Sequence, residues 1–298
     1  MKTLSKIFGV SFLVFFGWEF SSAQANNNAG NNNQANQAPS VLLPQDGAFK
    51  PEDVSHHRVV PPPFMRYADI MWKERIWRVI DTKQKINEQL YYPIQKNGNR
   101  ISLYDLIREG LLAGEIKAYD FNPADMDAIS LQLTLTEVKN KLSSIDTIQD
   151  ENGNMTPVPN NVTSDKIRGY LIKEDWHFEK QRSVLDPRIL WICPRIVTIN
   201  KNTQQEDPTA GPTSLFWVYF PDLRPMLAKT PVFNQQNDAA WISFDDIFWK
   251  RQFSSYIIQV SNVFNRSISV YMKGLDALAE SDKAHDNIAA VEHNMWQY

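Results

Sequence analysis

A single cysteine, Cys193, stands in a chain of 298 residues. No intramolecular disulfide can form, so the fold must rest on its hydrophobic core even in the oxidising compartment that the N-terminus predicts. Long apolar runs are missing as well. The run Ile7 to Phe16 covers about ten residues, where a membrane-crossing helix needs roughly 20, and no later segment qualifies. Neither sign of charge dominates: 31 basic residues meet 34 acidic ones, a formal net charge of −3. That balance excludes the basic footprint of a nucleic-acid binder and the polybasic patch of a membrane-surface protein. There is no Gly-rich phosphate loop, Gly-x-Ser-x-Gly elbow or His-Glu-x-x-His pair, so the usual signatures of nucleotide, serine-hydrolase and zinc-protease chemistry are absent.

The leader is the first positive signal. Lys2 and Lys6 precede the apolar core Ile7 to Phe16, and Ser21-Ser22-Ala23 supplies small residues for cleavage, which predicts a signal peptide over 1–23 and a mature start at Gln24. No Cys follows the apolar core, so direct lipid anchoring is not expected. Residues 24–46 are dominated by Asn, Gln, Ala and Gly and read as a flexible tether. Globular composition begins near Gly47. The expected organisation is an N-terminal helical subdomain over 47–148, a polar loop over 149–164, and a C-terminal subdomain over 165–298 that is first β-rich and then helical.

The fold class expected from these segments is α+β: N-terminal helices, a central, mostly antiparallel sheet of short strands, and C-terminal aromatic-rich amphipathic helices. Pro61, Pro62 and Pro63 stiffen an extended arm that lies either across a neighbouring subunit or over its own domain. Over Arg66 to Leu90, Trp72, Ile76, Val79 and Ile80 follow helical spacing, and Ile70 and Trp77 form a second apolar stripe. Ser102 is the expected N-cap of a helix over Leu103 to Leu112, with Gly114 as its stop. Glu115 to Phe121 reads as a strand and Thr136 to Ile145 as a helix. Gly169 to Phe178, Arg188 to Ile199 and Ser214 to Phe220 are rich in β-branched or aromatic residues and read as strands. From Ile268 onward, Tyr271, Met272, Leu275 and Leu278, then Ala284, Ile288, Val291 and Met295, fit a closing helix.

Four constellations bear on chemistry. His56-His57 with Glu52 and Asp53 offers metal-ligand types, but in an extended segment without a second cluster a solvated His pair is the simpler reading. Cys193 with His177 is the pairing of cysteine hydrolases, yet Ile189 to Pro194 has the look of a buried strand that would keep the thiol inert. Asp120, Asp125 and Asp127, or Asp245 with Asp246, are carboxylates of the type used in glycoside hydrolysis. Asp246 also fits the N3 position of a helix capped by Ser243. Trp72, Trp77, Trp249 and Trp296 could form a sugar platform, although core or contact roles are commoner for such residues.

Two long strings carry a resemblance. Ala68 to Asp81, continuing through Lys85-Ile86-Asn87 and Leu90-Tyr91-Tyr92-Pro93, and later Phe244 to Arg251 with Ser255-Tyr256-Ile257 and Lys273 to Leu278, resemble the GldN family, called PorN in non-gliding relatives. The likeness runs from about Arg58 onward. It implies a non-enzymatic periplasmic structural subunit of the type IX secretion and gliding-motility machinery of Bacteroidetes. It further implies self-association in a ring with a GldK/PorK-like outer-membrane lipoprotein, contact with a GldM/PorM-like periplasmic motor component, no cofactor and no catalytic residues. A periplasmic peptidoglycan- or glycan-binding module, or a hydrolase, is the alternative. The expected contact residues are Pro61, Pro62, Pro63, Trp72, Arg75, Trp77, Arg78, Phe248, Trp249, Lys250, Arg251 and Tyr256, because aromatic and Arg side chains dominate interface energies. A bend is expected near Lys250 to Gln252, where the apolar stripe of Phe244 and Phe248 breaks.

Overall fold

A computed structural model describes residues 57–295 apart from 123–124, 130, 150–154, 199–210, 235–236 and 238–240. The expected signal peptide and tether lie outside these residues. The described residues belong to one compact unit. Its elements are β1 (Ile70–Asp81), α1 (Glu88–Tyr91), α2 (Leu103–Ala113), β2 (Ala118–Asp120), α3 (Leu135–Leu142), β3 (Ser143–Gln149), β4 (Met155–Asn161), β5 (Ile167–Glu179) and β6 (Val184–Ile196). There follow β7 (Thr213–Ser214), β8 (Phe216–Tyr219), α4 (Phe220–Lys229), β9 (Pro231–Val232), β10 (Ile242–Ser243), α5 (Phe244–Trp249), β11 (Tyr256–Val260), α6 (Ile268–Tyr271) and α7 (Leu275–Met295).

The α+β class holds, with an antiparallel sheet in the order β11-β1-β5-β6-β8-β2 and β7 paired to β6. The largest correction falls on Arg66 to Leu90. Its centre is the 12-residue strand β1, not a helix. The sheet sorts the apolar residues differently from the two stripes: Trp72, Ile76 and Ile80 pack on one side, whereas Val79 joins Trp77 on the other. A strand buried on both faces loses the polar alternation that would reveal it. Because β1 lies between β11 and β5, the expected N-terminal subdomain supplies a strand to the centre of the sheet, and the 149–164 stretch does not separate two bodies. Part of that stretch pairs as β4 with β3 in a hairpin.

The helical side of the sheet carries the main core. Leu103, Tyr104 and Ile107 of α2, Leu223 and Leu227 of α4, and Phe244, Ile247 and Phe248 of α5 pack onto Ile80, Tyr170, Ile172, Ile192, Phe216 and Val218. Local signals fix these helices. The Ser102 side chain accepts from the Asp105 N–H, and Gly114 closes α2 at φ 76°, a left-handed conformation that costs a glycine little. Ser243 and Asp246 form the expected capping box of α5. The opposite face of the sheet holds Trp77, Leu171, Cys193 and Trp217, covered by Phe121, Met126 and Ile129 from the loop after β2.

The closing third is less helical than its pattern suggests. After α5 the chain turns at Lys250 and Arg251, the latter at φ 52°, and re-enters the sheet as β11. The bend stands where it was expected, but a strand follows it. The terminal helix breaks between α6 and α7 around Gly274, at φ 60°. Helix α7 then lies along the sheet edge, where the Ser281 hydroxyl accepts the Ile257 N–H at 2.9 Å and so covers part of an edge that would otherwise be open.

Gly169 faces Asp81 across the β1–β5 ladder, and a Cβ there would lie 2.3 Å from the Ile80 carbonyl oxygen. Gly169→Ala is therefore expected to lower stability by about 1–3 kcal/mol, read as a drop in denaturant midpoint at unchanged m-value. An unchanged midpoint would show that the two strands do not approach so closely.

Candidate functional site

Three sets of charged side chains sit on or beside the sheet, and each is answered from within the chain. On the loop face, Arg75 donates two bonds to Asp175, at 2.7 and 3.2 Å, and a third to Asp127 at 2.9 Å. Lys73 joins Asp175 at 2.8 Å, and the nearly inaccessible Lys173 meets Asp127 and sits over the Trp77 ring at 5.7 Å. Burial pushes the Asp175 carboxyl up, but the bonds from Arg75 and Lys73 outweigh it and hold the group below its ordinary value. Asp127 follows the same rule, with Lys173 and Arg75 as its partners. Burial lowers Lys173 against the opposing pull of Asp127. This network clamps the loop after β2 onto the sheet.

On the helical face, the fully buried Glu174 carboxylate accepts two bonds from Arg251, at 2.9 and 3.2 Å, and one from the Trp176 ring N–H at 3.0 Å. Arg251 also lies over the Trp176 and Phe253 rings. A bidentate pair of this kind has directional strength that a point charge lacks, and here it fixes the turn that feeds β11. Nearby, Arg78 is buried and donates to the Ser255 hydroxyl at 3.0 Å. Between α4 and α5, Arg224 binds Asp245 through two bonds, at 2.8 and 2.9 Å.

These contacts redistribute the expected contact residues. Trp77 and Phe248 are core residues, and Arg78 is buried. Arg75 and Arg251 are committed to Asp175 and Glu174, so neither is available to orient an acidic partner. Trp72 is half-buried against the α6–α7 side of the sheet. Trp249, at 51% exposure, and Tyr256 reach solvent. Lys250 is exposed and pairs with Asp246 at 3.1 Å, a surface bond of small energetic weight. Pro61, Pro62 and Pro63 are exposed, and the Pro63 carbonyl accepts from Arg188 at 2.7 Å, tying the arm to its own domain.

The chemical candidates fare differently. Cys193 is fully buried, and burial pushes its thiol up to about 12, the opposite of an activated nucleophile. His177 pairs with Asp186 across the β5–β6 ladder, whereas Cys193 stands opposite Leu171, about 20 Å further along the strand. The two cannot meet. Asp120 binds Lys141 at 2.6 Å and Asp125 binds Asn265 at 2.6 Å, while Asp127, Asp245 and Asp246 are held by the pairs already described. Among the described residues no three His, Cys, Asp or Glu side chains group as a metal site. His57 stacks on Trp241 at 4.1 Å between ring centroids; Glu52, Asp53, His56 and Trp296 lie outside the described residues.

Large apolar side chains also stand uncovered on the surface. Phe64 and Tyr67 on the arm are 88% and 90% exposed, and Met71 and Val60 accompany them. On the other side of β1, the shoulder formed by the β11–α6 loop, α6 and the start of α7 exposes Val263, Phe264, Val270, Tyr271, Leu275 and Leu278, with Val263 at 97% and Leu275 at 80%. Helix α7 packs inward through Ala277, Ser281, Ala284 and Ile288, so the larger stripe Tyr271, Leu275 and Leu278 faces outward. Val263 and Phe264 were not among the expected contacts because they interrupt a polar loop rather than repeat along an element.

The described residues define an α+β protein built on one seven-stranded sheet with two small hairpin-like pairs, with internally paired charges around the sheet and apolar surfaces of the kind that meet other proteins. The sequence pattern described as gliding motility associated protein GldN matches residues 65–297, and the chain belongs to the GldN family. This is a family of structural components of gliding motility and type IX secretion, not a known enzyme family. A comparison with curated proteins finds no match. Among the described residues no helix is long and apolar enough to cross a membrane.

Arg251→Met is expected to cost about 3–5 kcal/mol because it strands a buried carboxylate, and adding Glu174→Gln should recover much of that loss. Additive losses in a double-mutant cycle would contradict the pairing. The clamp on the loop face sets a pH dependence. Asp127 and Asp175 titrate below the ordinary 3.8 in the folded chain, so their contribution is complete above that value and is lost as the pH falls through the lowered ones. Thermal melts should hold level near neutrality and fall steeply below about pH 4, less so in Asp175→Asn; an equal fall in that variant would count against the clamp.

Proposed function

We propose that this chain is a non-enzymatic structural subunit that works in the periplasm, where it builds a ring-like complex with a GldK/PorK-like outer-membrane lipoprotein and contacts a GldM/PorM-like motor component. The observation that carries the reading is the contrast between charges spent inside the fold and large apolar side chains left uncovered. Catalytic sites concentrate perturbed, available titratable groups; here the buried Lys173, Glu174 and Arg224 are tied to structural partners. Assembly surfaces expose aromatic and aliphatic anchors. The Asn-rich stretch over 24–46 acts as a flexible tether ahead of the arm once the leader is removed. Trp249, Lys250 and Tyr256, which flank the α5–β11 turn, form the contact with the lipoprotein.

Specific interfaces bury about 1,200–2,000 Å² in total, so the isolated chain should aggregate at high concentration and recover on co-expression with the lipoprotein. Co-purification followed by titration should show binding weakened about tenfold or more by Trp249→Ser together with Tyr256→Ser, in line with hot-spot energies. A lone chain that stays monomeric at high concentration and retains no lipoprotein would overturn the reading.

A further inference from the structure

The arm and the α6–α7 shoulder are two different apolar patches on one chain, and each has what the other lacks. Between β11, the loop after it, α6 and α7 lies a cavity of about 190 Å³, lined among others by Glu74, Val260, Arg266, Tyr271, Glu280 and Ala284. Glu74 projects from the centre of β1 into this groove, half-buried, and makes no hydrogen bond or ion pair among the described residues. Every other partly buried acid on β1 and β5 has a basic or polar partner. Helix α7 adds Asp276, Glu280, Asp282, Asp286 and Glu292 against the single Lys283, so this helix is acidic, while Arg266 and Lys273 stand before it. Arg266 is held on the rim over the Phe264 and Tyr271 rings, at 4.7 and 5.3 Å.

The arm is the complement. Arg58 is exposed and makes no bond among the described residues, and Phe64 and Tyr67 stand almost wholly in water. Three consecutive prolines pre-set the extended backbone, so little conformational entropy is lost when such a segment lies on a surface. The Arg188 bond to Pro63 and the His57–Trp241 stack hold the arm on its own domain.

We propose that the arm of one copy docks on the shoulder of a second copy, placing Arg58 beside Glu74 and Phe64 and Tyr67 against Phe264 and Leu275. The inference rests on the assembly reading above and names the surfaces through which copies of this chain meet. Because the two patches differ, the contact is head-to-tail and repeats from copy to copy until it closes. Burial alone raises the Glu74 carboxyl above its ordinary value, so in a lone chain its charge is a cost: the stability it contributes is complete at low pH and lost as the pH rises through the raised value. A carboxylate that costs the lone chain stability gains its counter-ion in the pair.

The test is sedimentation velocity on the full mature chain. An arm variant, Phe64→Ser with Tyr67→Ser, and a shoulder variant, Phe264→Ser with Leu275→Ser, should each stay monomeric alone and form one-to-one dimers when mixed. Glu74→Gln should melt at a higher temperature than the wild type yet self-associate about tenfold more weakly, the size of one charged interface contact. Mixing Arg58→Glu with Glu74→Arg should restore association that each loses alone. Arm variants that assemble like the wild type, mixtures that stay monomeric, or a Glu74→Gln chain that associates normally would overturn the docking. Lipoprotein binding measured on the same samples separates the two readings. A wild type that binds the lipoprotein but fails the mixing test refutes the head-to-tail contact alone, and shoulder changes that abolish lipoprotein binding while self-association persists assign the shoulder to the lipoprotein instead.

Discussion

A strand buried on both faces can neutralise a charge only with what packs against it. That constraint governs β1 and β5, two of the three long neighbouring strands of the sheet. Between them they carry Lys73, Glu74, Arg75, Arg78, Lys173, Glu174 and Asp175, and nearly all of these must find partners away from bulk water. Leaving one such group unpaired would cost several kcal/mol. The loop after β2 supplies Asp127 on one face, and the α5–β11 turn supplies Arg251 on the other. The connections are therefore not passive: each is shaped to deliver a counter-ion, and Arg251 adopts a positive φ while doing so.

The same constraint separates structure from function in this chain. Once Arg75, Lys173 and Glu174 are assigned to internal pairs, clusters that resemble an active site by composition become clamps. What is left over is informative by contrast. Glu74 lies on the same strand and under the same burial pressure, yet no partner answers it among the described residues. Its groove adjoins the most exposed apolar side chains of the C-terminal region, and the membership of the chain in a family of gliding-motility components gives that coincidence a setting.

Legibility in the sequence followed the physics of each element. Helix α2 was readable from its cap and its glycine stop, and α5 from its capping box, because those signals are local. β5 and β6 were readable because β-branched and aromatic residues crowd them. β1 was not, since double burial erased the period-two pattern and tryptophans at positions 72 and 77 mimicked helical stripes. In α7 the apolar pattern picked out Ala284 and Ile288, which face the sheet with Ala277 and Ser281, but also Leu275 and Leu278, which face outward. The bidentate pairs of Arg75 with Asp175 and Arg251 with Glu174 join residues 100 and 77 positions apart, beyond any local motif. The family was legible from long strings, which survive a wrong reading of their secondary structure.

The claim that this chain works through its uncovered surfaces, with its charged clusters serving as internal clamps, is tested most directly by hydrogen–deuterium exchange on the protein in its envelope complex and alone. The account predicts added protection over Val59–Met71, around the α5–β11 turn and over Val263–Leu278, with β5, β6 and the loop after β2 unchanged. Protection concentrated instead on the loop clamped by Asp127, with the arm and shoulder exchanging as they do in the free chain, would contradict it.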